Sequence, residues 1–121
     1  MKRAMELVRK IVFAIEQGPH GFAARGFKID GYTDEQVGYH VYIMIEAGLI
    51  EGTDTTAGDS ESPEALPRSL TWYGHEFADA SRDDNRWKKA MDFVKEKAGA
   101  VGIGVLMELL THYSKTALGL S

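Results

Sequence analysis

Cysteine is absent from the 121 residues, which excludes disulfides, thiolate zinc centres and cysteine nucleophiles. The chain also lacks any surplus of positive charge. Fourteen lysines and arginines stand against 18 aspartates and glutamates, giving a net charge of −4 and a pI near 5.5, which weighs against a general polyanion binder. No long hydrophobic run is present. The longest apolar stretch, Ala98 to Met107, contains glycines and is too short to cross a bilayer, so no membrane association is expected. Lys2 and Arg3 open the chain, but Glu6 and Arg9 interrupt the adjoining apolar residues and leave no signal-peptide core, so a cytoplasmic location is expected.

Chemistry-bearing motifs are equally scarce. The four histidines, His20, His40, His75 and His112, fall on different predicted elements and form no i, i+4 pair, so no metal site is expected. His75 and Glu76 are adjacent on a predicted helix and point about 100° apart, so they cannot converge on one substrate atom. Asp79, Asp83 and Asp84 lack the spacing of a calcium loop. There is no nucleophile elbow, phosphate loop or dinucleotide fingerprint. Neither catalysis nor a cofactor is expected.

What is present is ordinary globular material, 44% hydrophobic and 26% charged, enough for one core. Its centre is residues 32–52. Thr33 offers a capping oxygen, Asp34, Glu35 and Gln36 load the first turn with acceptors, and Gly48 supplies a left-handed stop, which predicts a helix over 33–47. Val37, Val41 and Met44 form its apolar stripe, with His40 and Ile45 at the margins. Strands are predicted at 49–52 and, from the β-prone run around Trp72 and Tyr73, at 69–73. Between them Thr53 to Pro67 reads as a long wing loop holding Asp54, Asp59, Glu61 and Glu64, and mobile when unbound.

Upstream, helical spacing of Ala4, Met5, Val8, Ile11, Val12 and Ile15 predicts an amphipathic helix over 2–17, and Phe27, Lys28 and Ile29 suggest a short strand at 27–29. Only about ten residues separate the break at Gly18-Pro19-His20-Gly21 from Tyr32, so the usual second helix is expected to be reduced to a turn or absent. Downstream, Phe77, Ala80, Trp87, Ala90, Met91 and Val94 share one helical side that Asp83, Asp84 and Asn85 kink or restart. A final helix is predicted from Val105 to Leu118.

The expected fold is α+β and mainly helical: a winged-helix-like domain over 1–74 with a small antiparallel sheet and a shortened second helix, followed by C-terminal helices over 75–121. The apolar width of the last helix, through Val105, Leu106, Leu109, Leu110 and Tyr113, suggests a homodimer. Covering the first helix is the alternative use of that surface.

The chain also resembles a family of bacterial and prophage proteins catalogued as a domain of unknown function. The resemblance rests on the M-K-R opening, the G-Y-H-V helix with E-A-G-L-I, and L-T-x-x-G-H-E-F followed by a tryptophan. It implies a fold and a phage association, and passes on no catalytic residues.

Two binding functions fit these features. Fold analogy places a DNA-associated regulator first. Its candidate contacts are Gln36 on the central helix and a basic surface that is either Lys2, Arg3, Arg9 and Lys10 on the first helix or Arg82, Arg86, Lys88, Lys89, Lys95 and Lys97 on the later helices. The alternative is a modulator of a host transcription or defence protein. Its face would be Glu35, Tyr39, Tyr42, Ile43 and Glu46 on the central helix, with Asp54, Asp59, Glu61 and Glu64 on the wing. Carboxylates facing phosphate would repel, so charge opposes the fold analogy.

Overall fold

A computed structural model describes residues 1–24 and 27–120. The chain divides into two compact units, Met1–Glu76 and Phe77–Ser121. The first contains helix α1 (Met5–Glu16), a 3₁₀ turn (Pro19–Gly21), helix α2 (Asp34–Glu46) and strands β1 (Ile50–Asp54) and β2 (Ala65–Leu70). Helix α3 (Trp72–Ser81) begins in the first unit, and α4 (Asp84–Lys97) and α5 (Ile103–Ala117) belong to the second. Helix, short turn, helix and antiparallel hairpin give the winged-helix-like α+β arrangement that the sequence predicts. The short 3₁₀ turn occupies the place of a second full helix.

The first helix starts later than predicted, at Met5 instead of Lys2. Ala4 is extended and gives its N–H to His40 Nε2 at 2.9 Å, which sets the helix start. Leu7, Val8, Ile11, Val12 and Ile15 are buried along α1, which packs on α2 and β2. Repeated burial of such branched side chains is the main stabilising term of a small core.

Helix α2 begins as the sequence indicates. Thr33 Oγ1 accepts from the Gln36 N–H, and Gln36 Oε1 accepts in return from the Thr33 N–H at 2.8 Å, closing a reciprocal cap. The helix ends at Glu46, and Gly48 just beyond it, with a φ of 78°, reverses the chain into β1 at no Cβ cost. Its buried side chains are Val37, Val41, Met44 and His40, so His40 belongs to the core and not to its margin.

The hairpin corrects three expectations. Its strands are longer than 49–52 and begin earlier than 69: Thr53 and Asp54 pair with Leu66 and Ala65, with a bulge between Glu51 and Gly52. The connecting loop therefore shrinks to 55–64 and is bonded to itself. Thr55 donates to Glu64 O, while Thr56 Oγ1 both donates to Glu64 O and accepts from the Glu64 N–H. Trp72 and Tyr73, predicted as strand, are the first turn of α3, because Thr71 Oγ1 accepts from the Gly74 N–H and caps a helix. Here the cap overrides β propensity.

Residues 27–29 form no strand. The outer side of β2 at Arg68 and Ser69 is taken instead by Phe22, bridged to Ser69, and by the Ala23 N–H, which donates to Arg68 O at 2.7 Å. Gly74 then fixes the start of α3 close to the sheet, since a Cβ there would lie 2.0 Å from Leu49 O. Val41, Met44, Leu49 and Ile50 are nearly inaccessible in this unit.

In the second unit Asp83 caps α4 by accepting from the Arg86 N–H, which realises the predicted restart. Phe77 and Trp87 meet edge to face with centroids 6.1 Å apart, and α4 packs on α5. The last helix opens at Ile103, two residues before the predicted Val105. No helix among the described residues is long and apolar enough to cross a membrane.

Candidate interaction surface

Helix geometry turns Glu35, Tyr39, Tyr42, Ile43 and Glu46 away from the buried stripe of α2. Glu35 and Glu46 are exposed, while Tyr39, Tyr42 and Ile43 are half-buried. Tyr39 leans edge-on against His40 with centroids 5.9 Å apart. The face is thus a partly covered aromatic and aliphatic band with a carboxylate at each end.

The hairpin extends the acidic character. Asp54, Asp59, Glu61 and Glu64 are all exposed. Hydrogen bonds from the backbone and side chain of Thr56 hold the Asp54 carboxyl below its ordinary pKa and keep it ionised. Between α2 and β2 lies an open groove of about 500 Å³, with Val37, Val41, Leu66 and Pro67 on its walls and Asp34 and Glu64 among its polar groups. Helix and hairpin approach closely there: a Cβ on Gly38 would come within 3.2 Å of the Glu64 Cβ. Over the first unit seven lysines and arginines face twelve aspartates and glutamates.

The basic candidates are scattered and largely engaged. Lys2 and Arg3 are exposed. Arg9 is only 9% exposed, stacks on Phe13 at 5.0 Å and lies 4.0 Å from Glu6. Lys10 reaches over the Tyr32 ring at 5.6 Å. Gln36, the one α2 residue of base-reading type, commits its carbonyl oxygen to the helix cap. On α4, Arg86 is half-buried, and Lys89 stands 4.5 Å over the Tyr113 ring. Lys88 pairs with Asp92 at 2.8 Å, a hydrogen bond and charge that raise its pKa. Arg82 pairs with Asp79, whereas Lys95 and Lys97 are exposed near the end of α4.

The expected dimer stripe needs correcting. Leu106 and Leu110 are fully buried within the chain and cannot meet a second copy, because they lie on the side of α5 turned inward. Val105 is exposed, and Leu109 and Tyr113 are half-buried.

Sequence reasoning missed the most exposed large apolar side chain among the described residues. Trp72 is 81% exposed, and its indole N–H donates to Glu76 Oε1 at 2.5 Å. The sequence signal was slight: threonine is a residue type that caps helices, and only with a helix start at Thr71 do Trp72 and Glu76 stand four apart on one face. Among the described residues no group of three or more His, Asp or Glu side chains could hold a metal.

Comparison with known proteins supplies a family and no activity. A family model described as "Hypothetical protein (DUF2513)" matches residues 2–100, a span that includes both strands and α1 to α4. A protein of Haemophilus influenzae, described as uncharacterized, is 36% identical over 102 residues, covering 81% of this chain and 82% of its own. No solved structure matches. With a family model spanning nearly all of the first unit and about half of the second, the chain belongs to the DUF2513 family.

Proposed function

We propose that the protein is a non-catalytic binding module whose first unit engages a partner protein through the outer face of α2 and the adjoining hairpin. One observation carries this reading: Tyr39, Tyr42 and Ile43 form a half-buried aromatic and aliphatic band framed by the exposed carboxylates of Glu35 and Glu46. Aromatic anchors within a polar rim are the composition of protein interfaces, and carboxylates disfavour a phosphate backbone. The resemblance to prophage proteins points to a host transcription or defence component as the target class.

The test is recovery of partners from a host lysate by wild type, by Tyr39→Ala with Tyr42→Ala, and by Glu35→Lys with Glu46→Lys. Loss of one partner in both double variants, with helical circular dichroism retained, supports this face. Equal recovery by all three removes it.

A second reading, a DNA-associated regulator, is favoured by the helix-then-hairpin arrangement itself. It would draw on the exposed Lys2 and Arg3 of the first unit. A mobility-shift assay over a salt series decides it: phosphate contact requires affinity that falls steeply as salt rises.

A further inference from the structure

We infer that Trp72 and Glu76 form an anchor for an arginine side chain of a partner protein, on an element separate from α2. Leaving an indole 81% exposed forgoes the burial that normally places tryptophan largely inside a fold. The ring is nevertheless held. Trp72 lies in the first turn of α3, which Thr71 caps, and its N–H is fixed by the Glu76 carboxylate one turn on. The indole edge is therefore occupied, and the side chain as a whole remains open to solvent.

That combination selects for a cation. An aromatic face carries negative potential, and tryptophan is the strongest of the cation-binding rings. Glu76 Oε1 accepts the indole N–H, which leaves Oε2 as an acceptor beside the ring. Its charge is also felt by Tyr73, whose phenol is pushed above its ordinary pKa by burial and then by Glu76. A guanidinium can stack on an indole and donate to a carboxylate through its planar fork, which an ammonium does less well. The twelve-to-seven acidic excess of the first unit attracts the same sign of charge. Tryptophan is also among the residues most enriched at the energetic centres of protein interfaces.

The experiment titrates the full chain with a heptapeptide carrying three arginines alternated with glycines, and with the same peptide built from neutral citrulline. The readouts are the indole N–H resonance of Trp72, assigned by its disappearance in Trp72→Ala, and the dissociation constant. Trp87, 4% exposed, serves as the internal control. Glu76→Gln keeps an oxygen for the indole N–H while removing the charge, and circular dichroism verifies α3 in each variant. Expected are a shift of the Trp72 resonance with the arginine peptide alone, and affinity weakened about two- to fivefold in each variant. Absence of binding to wild type, equal binding of the citrulline peptide, or wild-type affinity in either variant overturns the inference. Tyr39→Ala with Tyr42→Ala leaves this titration unchanged, so its outcome is independent of the α2 face.

Discussion

The Ala4 N–H donates to His40 Nε2 across 36 positions of sequence, and the other ring nitrogen of His40 donates to Gln36 O at 2.8 Å. Both imidazole nitrogens are thereby satisfied inside the core, in the tautomer with its proton on Nδ1. This pair ties the start of α1 to the middle of α2. His40→Leu keeps comparable bulk but strips the Ala4 N–H of its acceptor, and is expected to cost about 1–3 kcal/mol. Urea denaturation measures the loss, and amide exchange at Ala4 should accelerate in the variant.

Gly74→Ala should be poorly tolerated for a steric reason. The new methyl would meet the backbone oxygen of Leu49 at 2.0 Å, and a backbone carbonyl cannot swing aside as a flexible side chain would. Overpacking of this kind costs roughly 1–3 kcal/mol. Gly58→Ala, where a Cβ meets nothing within 4 Å, is the matched control in thermal unfolding.

Asp54 gives the hairpin an acid-sensitive element. Its pKa is lowered in the fold by the bonds from Thr56, so its contribution to stability is full above the unfolded carboxyl value of about 4 and is lost as pH falls through the folded one. Thr56→Val, which takes away the hydroxyl beside Asp54 together with its two bonds to Glu64 and leaves the larger backbone bond, should move the Asp54 titration part of the way towards its ordinary value. A carboxyl-carbon NMR titration of wild type and variant reads this directly.

The two sides of α5 should respond differently to truncation. Leu106→Ala removes a fully buried side chain and is expected to cost about 2–5 kcal/mol, whereas Val105→Ala, at a position 55% exposed, should change stability little. Chemical denaturation compares them. Sedimentation of Val105→Asp then tests whether the outward side of α5 holds copies together.

Central helix α2 was legible in the sequence because local signals at both ends agreed: a capping threonine followed by acceptors, and a glycine where the chain had to turn left-handed. The hairpin was legible in kind but not in extent. Pairing of Asp54 with Ala65 depends on the Thr56 bonds to Glu64, eight residues away, and composition alone made that stretch look like free loop. Trp72 and Tyr73 were misread because β propensity is decided by tertiary setting, and the cap from Thr71 settled it the other way. The strand expected at 27–29 failed for a competitive reason, since Phe22 and Ala23 reach the outer edge of β2 first. Of the interaction surface, the residues of the α2 band could be placed by periodicity. Trp72 could not, once its segment had been assigned to the sheet.

That capture of β2 by Phe22 and Ala23 bears on which of its backbone groups stay open. A two-stranded ribbon ordinarily offers a row of open amide and carbonyl groups on which a neighbouring molecule can template itself. Here part of that row is occupied by the chain's own upstream segment, Pro67 contributes no donor, and the bulge near Gly52 distorts the register. At Arg68 and Ser69 the outer edge of β2 is therefore closed to edge-to-edge pairing with a neighbouring molecule.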